Sequence, residues 1–107
     1  MKPAAIIARL SAHPMLTGWH VDYSPVYDLP DPANIEIDHD LKRARLRVRP
    51  EWQIDYQGTE TQLIAHELGH IFTDDVFRFI KPTPATREAE ERLATRFGMM
   101  LIDRAPA

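Results

Sequence analysis

The sequence predicts one α+β domain: an N-terminal helix, a small, mostly antiparallel sheet of about three strands, then two consecutive helices. Three observations carry that expectation. Ala44, Leu46 and Val48 alternate with Arg43, Arg45, Arg47 and Arg49, the period of a strand with one face buried. Thr59 with Gln62, and Thr83 with Pro84, each open a long segment as helix caps do. The remaining apolar segment, Ile6, Ile7 and Leu10, has helical spacing.

In chain order, Pro3 to Ala12 reads as a short helix, with Pro3 in its first turn and His13-Pro14 ending it. Trp19 to Tyr23 reads as a first strand. Pro25, Pro30 and Pro32 make Ser24 to Ala33 an ordered loop. Asn34 to Asp38 turns Ile35 and Ile37 one way and Glu36 and Asp38 the other, and a polar turn through Lys42 leads into the arginine strand, Arg43 to Arg49. Pro50 closes that strand. A helix begins near Thr59 and is expected to end near Asp74. The last helix starts at Thr83 and runs to about Ile102, with Leu93, Phe97, Met100 and Leu101 as its apolar stripe. Asp103 to Ala107 is expected to be a frayed tail.

Composition narrows the function classes. The chain has 107 residues, 44% hydrophobic and 27% charged, with a net charge of -3. That is ordinary for a single globular domain, and it gives no reason to expect a nucleic-acid or membrane partner. No cysteine occurs, so disulfides and thiolate metal sites are excluded, and a cytoplasmic location is expected. The short N-terminal apolar run, broken by Arg9, is too short for a secretory segment. The arginine ladder reads as a solvated sheet face, paired with Glu36 and Asp38 across the hairpin. His13 and His39 are expected at the surface, and His20 in a structural role. Met99 and Met100 are expected to fill core beside Phe97.

The chemistry is concentrated in His66-Glu67-Leu68-Gly69-His70. Residues four apart lie one turn apart on one helix face, so His66 and His70 can reach one metal ion while Glu67 holds a water against it. A zinc site of this kind needs a third protein ligand and leaves its fourth position open. No histidine follows His70, so the third ligand must be a carboxylate, and Glu88, Glu90 and Glu91 stand near the start of the last helix. Periodicity leaves the choice open: Glu90 lies nearer the apolar stripe, while Glu88 and Glu91 share a neighbouring face.

These two segments resemble the gluzincin metallopeptidases, in which a glutamate on a second helix completes the site. Glu91-Arg92-Leu93-Ala94-Thr95-Arg96-Phe97 has the Glu-x-x-Ala-x-x-Phe spacing of the ImmA/IrrE-type peptidases, and the frame resembles the minigluzincins. The resemblance implies a zincin-like fold, one Zn2+, a peptide or protein substrate, and Glu91 as third ligand with His66 and His70. It implies Glu67 as general base, passing a proton from the activated water to the leaving amine. It also implies that an extended substrate pairs with an edge strand. The chain departs from the pattern at Thr95, where relatives often carry Asp or Asn to orient a zinc-binding histidine. A threonine is a weaker orienting partner. The residual donor for a tetrahedral intermediate is open among Tyr23, Tyr27, Tyr56 and His20. The rival reading is a regulatory protein whose zinc-site fold binds a partner such as a repressor.

Overall fold

In the computed structural model, which describes residues 2–104, the chain forms three helices and one three-stranded sheet. Helix α1 spans Pro3–Ser11 and buries Ile6, Ile7 and Leu10, the stripe its spacing predicts. Proline supplies the first-turn position where no N–H is needed. His13 then turns inward: it is only 3% exposed, and its Nδ1 accepts from the Met15 N–H at 3.1 Å. The expectation of a surface His13 is corrected for a local reason. Pro14 opens a 3₁₀ turn, Pro14–Leu16, whose free N–H the imidazole caps.

Strands β1 (His20–Pro25), β2 (Ala33–Asp38) and β3 (Arg43–Val48) assemble in the order β1-β3-β2. β2 and β3 form the expected antiparallel hairpin, with Ile35 opposite Leu46 and Ile37 opposite Ala44. β1 joins the other side of β3 in parallel, Tyr23 beside Leu46, so the sheet is mixed rather than mostly antiparallel. The proline-rich connection from residue 26 to 32 causes this. It straddles the end of β3, where Val26 N–H bonds the Val48 carbonyl at 3.1 Å and Arg49 N–H bonds the Pro32 carbonyl at 2.8 Å. The chain thereby crosses from one side of β3 to the other before β2 begins. Arg49 fastens the crossing with a bond to the Leu29 carbonyl (3.2 Å) and an ion pair to Asp55.

Alternation then sorts the side chains. Ala44, Leu46 and Val48 are buried toward α2, in one core with Ile6, Ile7 and Leu10 of α1, while Arg43, Arg45 and Arg47 face outward beside Asp22, Glu36 and Asp38. Arg47 reaches diagonally to Glu36 at 2.7 Å and bonds Asn34 at 2.8 Å. The ladder is a partly neutralised surface, as its sequence suggests.

Helix α2, Glu60–Phe77, begins in a complete capping box. Gln62 N–H donates to Thr59 Oγ1 at 3.1 Å, and Thr59 N–H to Gln62 Oε1 at 2.9 Å. It runs past Asp74 because Asp75, Val76 and Phe77 contain no helix breaker. Helix α3, Pro84–Asp103, starts from the Thr83 cap and includes Asp103. The tail expected from that residue is therefore helical at its first position, and residues 105–107 lie outside the described residues.

The face α3 turns inward differs from the expected stripe. Ala94, Gly98 and Leu101 are buried, whereas Leu93 is 37% and Met99 58% exposed. Two reciprocal contacts explain it. A Cβ on Gly98 would lie 2.7 Å from the Ala65 carbonyl carbon and oxygen, and one on Gly69 would overlap the Ala94 carbonyl. The backbones of α2 and α3 touch at these glycines, so small residues take the contact and larger apolar ones flank it. Phe97 lies at the flank, its ring 5.0 Å from that of Phe72.

Candidate metal centre

Helix geometry puts His66 and His70 one turn apart on α2, their ring centroids 4.9 Å from each other. The close α2–α3 contact brings Glu91 over both. Its Oε2 stands 2.8 Å from His66 Nε2, and its Oε1 stands 3.3 Å from His70 Nε2. One ligand atom from each of His66, His70 and Glu91 lies within 4.8 Å of the other two, so this group could hold a metal ion. Glu91, Ala94 and Gly98 share one face of α3. The small residues that let the helices touch also set the height of the carboxylate above the imidazoles.

The rings are oriented from behind. Thr95 Oγ1 donates its one proton to the Glu91 carbonyl at 3.1 Å, leaving its lone pairs to accept from His66 Nδ1 at 2.9 Å. With Nδ1 holding a proton, Nε2 is the nitrogen turned to the metal group. On the other ring, Glu90 Oε2 takes His70 Nδ1 at 3.4 Å and the Thr73 hydroxyl at 3.2 Å. Glu90 thus stands behind His70, not among the ligand atoms. Glu88, whose side chain is 77% exposed, lies 3.9 Å from Arg92 and away from the group. Of the three glutamates left open by periodicity, the structure brings Glu91 to the histidines and makes Glu90 an orienting carboxylate. Thr73, buried at 2% exposure, escaped sequence reasoning. The available signal was its position three residues after His70, on the same helix face.

The titration of these groups follows from their packing. Burial pushes the Glu67 carboxyl up to about 7, with His70 and His66 pulling the other way. Burial by itself would lower His70. The hydrogen bond to Glu91 and the charges of Glu67, Glu91 and Glu90 outweigh it and raise His70 to about 9. Bonds from His66 and then His70 hold Glu91 well below the usual carboxylate range. A carboxylate wedged between two imidazole nitrogens requires a cation there, and either a proton or a metal ion supplies it.

Two imidazole nitrogens and a carboxylate are donors a divalent metal ion takes, and the two Glu91 oxygens lie 2.8 Å from His66 Nε2 and 3.3 Å from His70 Nε2. A cleft of about 300 Å³ adjoins the group, lined by Glu67, His70 and Glu91 on one side and by Asn34, Ile35 and Ile37 of β2 on the other. β2 is one of the sheet's two edge strands, and it borders this cleft.

The other sequence candidates separate clearly. His20 pairs with Asp22 at 2.8 Å on β1 and lies outside the metal group. Tyr27 is 77% exposed, and Tyr23 faces α1 across β1. Tyr56 shares a pocket with His66 and Thr95. His39, expected at the surface, has a side chain only 11% exposed. Its Nε2 meets Asp74 at 2.8 Å while Trp19 packs edge-on against its ring. The β2–β3 turn is thereby clasped to α2 one turn beyond His70.

Compared with protein-family models, characterised proteins and solved structures, the chain matches none. Among the described residues, no helix is long and apolar enough to cross a membrane.

Proposed function

We propose that this chain is a small zinc-dependent peptidase of gluzincin type, with His66, His70 and Glu91 as ligands and Glu67 as general base. The observation that carries the reading is the joint placement of three ligand atoms within 4.8 Å of one another and a buried glutamate, Glu67, only 8% exposed, in the adjoining cleft. Zinc, when bound, would supply a Lewis acid that polarises a peptide carbonyl and lowers the pKa of a bound water to about 7.

The protein's own groups do the rest. Glu67 would draw a proton from the attacking water and return it to the leaving nitrogen. Thr95 and Glu90 hold the imidazoles in one tautomer and orientation. The free edge of β2 offers backbone groups to an extended peptide lying along the cleft. Peptides and unfolded protein segments are therefore the substrate class, and the cysteine-free composition suits a reducing compartment such as the cytoplasm.

The test is Glu67→Gln, assayed with a library of internally quenched peptides alongside native mass spectrometry. The variant should keep one zinc per chain and lose cleavage by at least about a hundredfold. Identical behaviour of the two proteins in every peptide would leave a zinc-bearing binding protein, the regulatory alternative, as the better account.

A further inference from the structure

Resting on the peptidase reading, we propose that the cleft beside the His66–His70–Glu91 group selects peptides carrying a lysine or arginine side chain, and that Asp31 is the specificity-determining residue that receives the cation. The cleft is lined by five carboxylates, those of Asp31, Glu67, Asp74, Glu90 and Glu91, and by no lysine or arginine. Elsewhere the charges are mixed. The chain's 13 basic and 16 acidic residues nearly balance, and on the outer sheet face acids lie beside arginines, Glu36 against Arg47 at 2.7 Å and Asp38 opposite Arg43. The fold therefore gathers unbalanced negative charge in this cleft.

Their partners tell the five apart. Glu91 stands against both imidazoles, Glu90 takes His70 Nδ1 and the Thr73 hydroxyl, and Asp74 meets His39 at 2.8 Å. Glu67 is only 8% exposed, yet its carboxylate has no hydrogen-bond partner among the described residues, and it lines the same cleft. A buried acceptor without a donor is completed by what enters from outside. Asp31 is exposed and makes neither a hydrogen bond nor an ion pair with the described residues. It stands between Pro30 and Pro32, just before β2 opens at Ala33. Prolines on both sides restrict the backbone, so its carboxylate is offered from a stiff segment. Asp74 is clasped through His39 to the turn after Asp38. A peptide extended along β2 thus meets an acid near each end of the strand.

Even with a divalent cation offsetting two of these charges, the cleft stays negative, so it attracts a cationic side chain and repels an acidic one. Lysine and arginine also suit its walls. Their alkyl stems can lie on Ile35 and Ile37, half-buried residues of β2 that line the cleft, while the charged head reaches a carboxylate. Because Asp31 is exposed, the pair it forms is worth only a few-fold in affinity.

The test measures binding rather than turnover, on zinc-loaded Glu67→Gln protein, by fluorescence anisotropy of short dansyl-labelled peptides. One peptide is capped at both ends and carries a central lysine, a second has norleucine in its place, and a third is the norleucine peptide with a free amino terminus. The lysine peptide should bind about tenfold more tightly than its capped norleucine counterpart at low ionic strength. Adding Asp31→Asn, which lies outside the metal group, should cut that advantage about threefold to fivefold. Adding Glu88→Gln instead, an equal loss of charge away from the group, should leave the advantage unchanged. Equal binding of the capped lysine and norleucine peptides would overturn the proposal. So would an advantage that survives Asp31→Asn, or one that falls as far in Glu88→Gln. Tighter binding confined to the free amino terminus would overturn it in favour of a terminal amine. Each of these failures leaves the zinc site standing, whereas a wild-type chain that takes up no zinc in chelator competition would overturn the peptidase reading itself.

Discussion

Replacing Gly98 by alanine adds a single methyl group at the contact that sets the metal centre. The new Cβ would lie 2.7 Å from the Ala65 carbonyl and 2.9 Å from the His66 backbone nitrogen. Both obstacles are helix backbone and cannot swing aside. Reaching a tolerable separation of about 3.3 Å requires α3 to retreat by about 0.6 Å, since packed interiors hold little slack. Glu91 rides on the same face of α3, so its carboxylate withdraws by a similar distance from His66 and His70. Metal–ligand bonds tolerate about 0.2 Å. The retreat is about three times that margin, and zinc affinity should fall by about tenfold or more. Stability is the less sensitive readout: overpacking costs about 1–3 kcal/mol, and alanine's better helix propensity returns about 1 kcal/mol. Chelator competition measures the affinity, with urea unfolding of the metal-free protein as the control. Wild-type zinc affinity in Gly98→Ala would refute the argument that backbone contact between α2 and α3 positions Glu91.

Further outcomes follow from the same geometry. Glu90→Gln should leave zinc bound but about tenfold to a hundredfold more weakly, because His70 Nδ1 loses its charged partner; isothermal titration with zinc reads this directly. His70 rises to about 9 in the metal-free protein, above its ordinary 6.5, so its contribution to stability is full below pH 6.5 and lost as pH rises through 9. Burial of the Glu67 charge acts in the same direction, removing stability as pH rises through about 7. The melting temperature of the metal-free protein should therefore fall between pH 6.5 and 9.5, and zinc uptake at pH 7 should release protons; a flat profile in thermal scans would argue against this coupling. His39→Ala removes the clasp between the β2–β3 turn and Asp74, and urea unfolding should show a loss of about 1–2 kcal/mol.

How much was legible in the sequence depended on whether the signal was local. The caps at Thr59 and Thr83 and the alternation of β3 involve residues within one turn or one strand, and they appear where the residues predict. The histidines of the motif needed only helix periodicity. The parallel partnership of β1 was not readable, because it depends on how the connection through Leu29 and Pro32 passes the end of β3. The inner face of α3 was misread for a physical reason. A stripe rule favours large apolar residues, whereas a backbone-to-backbone contact selects Ala94 and Gly98 and leaves Leu93 outside. That same close contact separates Glu91 from Glu90, two adjacent carboxylates that periodicity treats almost alike. His13 and His39 were misplaced because their burial comes from a 3₁₀ cap and from a helix thirty-five residues away.

The central claim is that His66, His70 and Glu91 form one zinc site, and metal stoichiometry tests it most directly. Native mass spectrometry of the chain incubated with excess zinc and then desalted should show one zinc per chain. That zinc should be lost on chelation and absent from His70→Ala and Glu91→Ala, both still folded by circular dichroism. A wild-type chain that stays metal-free, or a Glu91→Ala variant that holds zinc as tightly as wild type, would contradict the account.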